Sequence, residues 1–272
     1  MRLILAAGAS GDADLENALV GAPSLDIVGH ERPDAQAIVL SAADASSAPA
    51  HAGIPRAVFA SAVAGTAGLS ALQAERGSGV SVLAPALHRA PYSLLRASLD
   101  TGRIGSPRFL RWTRWAPAGP EELAGALLDE LAAVLDLMGR PAVTAYAAGQ
   151  AVGAEGPDYV TAILTFERGL TAVLDVGAAA SGGQPFDRAM LIGAHGSIHA
   201  DGRASAARRL DDSESTPLDL DGPFAGHIRA VETFTHGESL DLGLATQAAA
   251  VQDAVLASLE SGRAEAVMAS TG

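Results

Sequence analysis

The residues with chemical potential in this chain are a pair of glycines in a short turn, a handful of acids, and a set of arginines and tryptophans. Gly8 and Gly11, with Ser10 between them, follow a short apolar run and precede a helical pattern. A strand–turn–helix segment of this kind lets the backbone approach a pyrophosphate at a helix N-terminus. Ala6 stands where a first glycine would sit. Asp12 and Asp14, in the first helical turn, complement the helix dipole but oppose an anion placed there. A capped helix start with no ligand therefore stands beside cofactor binding as a reading of this segment. Glu31, 20 residues after Gly11 at the end of a second apolar run, is placed to hydrogen-bond a ribose hydroxyl. A dinucleotide is the ligand that Gly8, Ser10, Gly11 and Glu31 would hold.

His88 and Arg89 end another apolar run, where parallel sheets gather their ligands at the carboxyl ends of strands. Arg111, Arg114 and Trp115 lie in a run that alternates aromatic, basic and small residues, and Asp129 lies within a long amphipathic stretch. A lone carboxylate there can serve as general base or pair with an arginine. His88, Arg89, Arg111 and Trp115, with Asp129, would form a polar pocket for a sugar-like or anionic small molecule. Salt bridges and a half-buried tryptophan are the alternative. His195 and His199 have a spacing that on a helix could bind zinc, but Gly193, Gly196 and Ser197 make the segment strand–turn–strand. An extended chain would part the two rings by roughly 13 Å, so no metal site is expected.

Composition narrows the classes. The chain has 272 residues and a net charge of −13, which excludes nucleic acid and anionic membrane surfaces as partners. It has no cysteine, and all 18 of its basic residues are arginine. Without lysine there is no Schiff base and no lysine proton donor. The apolar run at residues 3–7 is too short for a signal peptide, and no uninterrupted stretch approaches a membrane span. The expectation is a soluble, cytoplasmic protein.

The elements that must position these groups follow from periodicity. Short apolar runs at residues 2–7, 25–28, 37–40, 57–59 and 80–83, with helical patterns between, predict a doubly wound parallel sheet. The second half predicts a helix over 92–99, a strand over 108–115 and a long helix over 121–138, ended by Gly139 with Pro141 beyond. A hairpin follows, 160–166 and 170–176 joined through Glu167-Arg168-Gly169, then further strands to residue 200 and helices over 225–235 and 244–259. Arg203, Arg208 and Arg209 read as a surface loop.

Several stretches together resemble the glucose–fructose oxidoreductase / inositol dehydrogenase (Gfo/Idh/MocA) family. They are Arg89-Ala90-Pro91 with residues 99–105, Leu127-Leu128-Asp129 through Gly139, Met190-Leu191-Ile192-Gly193 with Gly196-Ser197-Ile198, and residues 259–263. The resemblance implies an N-terminal Rossmann domain that binds NAD(P), and a C-terminal sheet domain that holds substrate and often forms the dimer interface. It also implies hydride transfer at a sugar or cyclitol carbon by a Lys from a Glu-Lys-Pro motif and an Asp and His one helical turn apart. Of these groups Asp129 is present, Ala133 stands at the histidine position, and Ser61 is the nearest equivalent of the lysine. The link through Pro33-Asp34 leaves no room for the further helix and strand, roughly 30 residues, that such a domain would carry. The adenine side is therefore expected to be cut back.

The fold class predicted is α/β: a truncated Rossmann sheet over residues 1–88 and an α+β domain with a large, open, mostly antiparallel sheet over residues 89–272. The apolar residues of 162–176 predict a homodimer or tetramer through that sheet's open face. Two functions stay open. One is an oxidoreductase resembling NAD(P)-dependent sugar or cyclitol dehydrogenases, without their Lys and His. The other is a non-catalytic ligand-binding, scaffolding or regulatory homologue.

Overall fold

The computed structural model describes residues 2–5, 13–28, 37–40, 56–59, 65–76, 80–116, 120–150, 159–178, 186–201, 206–209, 215–217, 224–238 and 241–268. Five strands, β1 (Arg2–Leu5), β2 (Asp26–Val28), β3 (Ala37–Leu40), β4 (Arg56–Phe59) and β5 (Val80–Leu83), form an all-parallel sheet in the order β2-β1-β3-β4-β5. The order reverses at β1, which makes a switch point of the kind where doubly wound sheets bind ligands. β2 is the outer strand of this sheet among the described residues, and eight residues separate it from β3. Gly8, Ser10, Gly11, Glu31 and Ser61 lie outside the described residues.

Helices α1 (Ala13–Val20) and α2 (Gly65–Arg76) follow β1 and β4. Two clusters show that both faces of the parallel sheet are covered. Ala57, Phe59 and Leu83 pack with Leu19 and with α5 (Ala225–Thr235), whereas Val82 packs with Leu69 of α2 and the alanines of α6 (Leu242–Ser261). Strand alternation sends Val82 and Leu83 to opposite sides, which is why a continuous apolar run suits this position. Asp253 of α6 accepts from Thr66 N–H at 3.1 Å and from the Thr66 hydroxyl at 2.5 Å, and Gln252 accepts from Gly65 N–H at 2.8 Å. The first donors of α2 are thus satisfied by side chains 187 residues away in sequence.

The second sheet has nine strands: β6 (Pro107–Ala116), β7 (Ala142–Gln150), β8 (Tyr159–Phe166), β9 (Thr171–Ala178), β10 (Phe186–Gly193), β11 (Ser197–Asp201), β12 (Ala206–Arg209), β13 (Ser215–Pro217) and β14 (Glu265–Ala266). Their order is β13-β12-β11-β10-β6-β9-β8-β7-β14, antiparallel except for β6 beside β9. α4 (Pro120–Met138) and α6 cover one face. Residues 127–135 of α4 are all buried, so this helix is core on every side. Gly139 ends it in the left-handed region at φ 63°, donating to the Leu135 carbonyl. α6 is long and apolar enough to cross a membrane by length and composition, yet its alanines pack in the core with α4 and β7.

Two expectations change here. Arg208 and Arg209 lie in β12, not in a loop. Of the apolar residues in 162–176, Ala162, Leu164, Phe166, Ala172, Leu174 and Val176 are buried under the helices, leaving Ile163 and Val173 on the open face. Period-two alternation puts half of an apolar run on the hidden side.

Candidate functional site

Between the two sheets a short 3-10 turn, Pro85–His88, leads from β5 into α3 (Ala90–Asp100). Asp129 of α4 meets this turn. Its two carboxylate oxygens accept the Ala86 N–H at 3.0 and 3.1 Å, and the residue is 8% exposed. Burial pushes its carboxyl up to about 7, the neighbouring Glu130 adds to the rise, and Arg89 and the Ala86 N–H work against it. Ala133, one turn on from Asp129, is fully buried.

Glu130, 2% exposed, anchors a second group. It accepts from Trp112 Nε1 at 2.7 Å and from the Arg89 guanidinium, and Arg114 Nε lies 3.9 Å away. Asp187 sits 3.4 Å from Arg89 and 3.7 Å from Arg114. Burial alone would lower the Arg89 pKa, but Asp187 and Glu130 raise it above its ordinary value. Arg114, buried and facing Arg89, is lowered. The Arg89 guanidinium lies 5.9 Å from the centre of the Trp112 ring. Within this buried cluster, Arg89 Nε and Asp187 Oδ1 have no hydrogen-bond partner among the described residues.

His227, in the first turn of α5, completes the seam. Its ring meets Phe59 edge-on at 5.3 Å and Phe224 at 5.9 Å, and burial with Arg89 and Arg114 nearby holds its pKa down to about 3. Gly226 lets α5 approach, since a Cβ there would come within 2.7 Å of the Pro85 carbonyl oxygen. His88 is also lowered, by burial and then by Arg229, whose guanidinium donates to the His88 carbonyl at 3.1 Å.

The pocket foreseen from the sequence is divided by the sheet. Arg89 and Asp129 lie on the helix-covered side, and His88 borders it. Arg111 and Trp115 point to the opposite, open face, where Arg111 pairs with Asp175 at 3.3 Å. Arg111 and Arg114 are three residues apart in one strand, an odd spacing that must put them on opposite faces. His195 and His199 are on a turn and in β11, and no group of three metal-ligating side chains occurs among the described residues. Glu130, Asp187 and His227 were not found from the sequence. Glu130 had a signal, because a charge in the middle of a helix apolar on all sides must be buried and therefore paired.

Comparison with known proteins places this geometry. Residues 92–199 match the family model described as the GFO/IDH/MocA C-terminal domain. No curated protein matches the chain. Among solved structures, a myo-inositol dehydrogenase from Corynebacterium glutamicum is 16% identical with a TM-score of 0.70, covering 99% of each chain. A myo-inositol 2-dehydrogenase from Lactobacillus plantarum is 12% identical with a TM-score of 0.73, covering 98% of this chain and 99% of its own. An oxidoreductase from Agrobacterium radiobacter, solved with NAD+, L-tartaric acid and magnesium, is 15% identical with a TM-score of 0.72, covering 98% of each.

Proposed function

We propose that this protein is a non-catalytic, ligand-binding or regulatory relative of the inositol and sugar dehydrogenases, a reading supported by the match of residues 92–199 to the GFO/IDH/MocA C-terminal domain model and by the fold the chain shares with two inositol dehydrogenases. One observation carries the reading. The carboxylate that would serve as base is engaged by both oxygens on the Ala86 N–H, with Ala133 packed in the core one turn away. Asp129 is better explained as a fastener between α4 and the turn after β5 than as a base open to substrate.

The parallel sheet with its switch point fits a dinucleotide, and Gly8, Ser10, Gly11 and Glu31 are the residues proposed to hold one. A bound NAD(P) would supply a hydride acceptor. The described residues near the strand ends do not match that chemistry, because Asp129 is engaged by Ala86 and His227 packs on two aromatic rings. No catalytic step is therefore assigned. In this reading residues 1–88 form the nucleotide-binding unit and residues 89–272 the ligand-binding and dimerisation unit, with no nucleic acid or membrane partner and a cytoplasmic location.

The test is calorimetric titration with NAD+, NADP+, NADH and NADPH, alongside a search for reduced nicotinamide formed in the presence of polyols and sugar acids. No turnover is expected. Turnover that disappears in Asp129→Ala would establish the enzyme instead. Micromolar nucleotide binding without turnover fits a regulatory protein that retains its cofactor, and binding of none at millimolar concentration ends the oxidoreductase reading. A homodimer or tetramer through the open face is proposed on the exposed Tyr146, Ile163 and Ile192. A monomeric mass by light scattering removes it.

A further inference from the structure

Five charged side chains meet under α4, where the turn after β5 joins the parallel sheet to the second one. Four of them close a ring. Glu130 accepts from Arg89 and lies 3.9 Å from Arg114, while Asp187 lies 3.4 Å from Arg89 and 3.7 Å from Arg114. Each guanidinium thus faces both carboxylates, and the ring of two positive and two negative charges is neutral as it stands. All four side chains are largely buried, so salt and water screen them little.

Asp129 is the fifth group, and the ring leaves it out. Among the described residues no guanidinium lies within ion-pair distance of it, and the Ala86 N–H is its one donor. A buried carboxylate that stays charged is usually met by two or three backbone donors. Burial and the adjacent Glu130 raise its pKa by more than Arg89, Ala86 and Arg114 lower it. The other groups packed around α4 offer no counter-charge. From α5, His227 is kept neutral by burial and by the two arginines, and Arg229 is turned to the His88 carbonyl. His88, in the turn, is lowered by burial and then by Arg229. From α3, Tyr92 and Arg96 meet Asp136, two turns further along α4. Asp253 of α6 is directed to Thr66, and Asp175 of β9 lies on the other face of the sheet. Three carboxylates against two guanidiniums leave one buried negative charge unanswered, and a proton is the simplest answer.

We propose that this seam binds one proton, on Asp129, and that losing the proton loosens the contact between α4 and the turn after β5. That contact joins the parallel sheet to the helices of the second sheet, so the two halves of the molecule dock in a pH-dependent way. The docked state holds the proton more tightly than an open state in which Asp129 meets water. Its value is 3.8 in water and about 7 when docked, so the contribution to docking is full below 3.8 and is lost as pH rises through about 7. A second fastener, Gln252 and Asp253 on the N-terminus of α2, lies outside the seam and should hold throughout. The proposal stands whether or not the protein turns over a substrate.

Backbone amide exchange followed by NMR on the intact protein, from about pH 5 to about pH 8, tests this. After correction for intrinsic exchange, protection of the Ala86 N–H should fall about tenfold for each unit from pH 5 toward 7, then level off. The Gly65 and Thr66 amides should keep their protection. Asp129→Asn, which fixes the neutral form, should hold Ala86 protection constant over the same range. Infrared spectra of the unaltered protein give a second readout that needs no variant. A carboxylic acid band should be present at the acid end and fade as pH passes through about 7. Ala86 protection that ignores pH overturns the proposal, as does a pH step that survives in Asp129→Asn. Absence of the acid band overturns it too. Parallel loss of protection at Gly65 and Thr66 would trace the effect to unfolding of the whole chain and also sink the idea.

Discussion

Strand β6 carries one arginine–tryptophan pair to each face of the same sheet, and the two pairs have opposite surroundings. Trp112 and Arg114 are enclosed under α4 with Glu130, Arg89 and Asp187, where every charge must be answered by another charge. Trp115 and Arg111 face outward with Asp175, where water can replace any partner that is lost. Residue type is the same on both sides, so burial alone decides which pair holds the fold and which lies open to water. The inner face is committed to structure; the outer face stays open to solvent.

Substitutions on the two faces should therefore differ steeply in cost. Glu130→Ala strands two buried arginines and should lower the unfolding free energy in urea by about 3–5 kcal/mol, whereas replacing Glu130 and Arg89 together by apolar residues should recover much of the loss. Trp112→Phe removes the indole donor to Glu130 and should cost about 1–3 kcal/mol. The matching Trp115→Phe change should stay within about 0.5 kcal/mol. Equal losses for the two tryptophans would break the contrast.

The inner face should also respond to pH. The Asp129 carboxyl, raised by the fold from 3.8 to about 7, contributes stability that is fully present below 3.8 and lost as pH rises through about 7. Asp129→Asn should flatten that loss between pH 3.8 and about 7 in a melting-temperature series. His227 works in the other direction. Its pKa is depressed from 6.5 to about 3, so its contribution is present above 6.5 and falls away as pH drops toward 3. An acid-side decline that persists in Asp129→Asn is the expected sign of it. The smallest effect belongs to Arg111→Ala, an exposed ion pair whose loss should cost about 0–1 kcal/mol in urea, and less still in high salt.

Much of the fold could be read directly from the chain. The apolar runs 37–40 and 80–83, the stop at Gly139-Arg140-Pro141 and the Glu167-Arg168-Gly169 hairpin fall where the elements are found. These signals are local, set by side-chain period and by backbone freedom at glycine. β12 was missed because Ala206-Ala207-Arg208-Arg209 carries no alternation and is held only by its pairing with β11 and β13. The site was less legible. Asp129 was found through its helix, but Glu130, Asp187 and His227 gain their meaning from partners dozens of residues away.

By itself the sequence determined that a lysine mechanism is impossible, that the chain builds one parallel sheet and one mostly antiparallel sheet, and that Asp129 has an alanine one turn away. Those facts reside in composition and short-range spacing. Only the tertiary structure decided which of the arginines and tryptophans share a space. Alternation along β6 assigns the faces, but which face is buried depends on where α4 and α6 pack, and that is settled by long-range burial of their apolar sides.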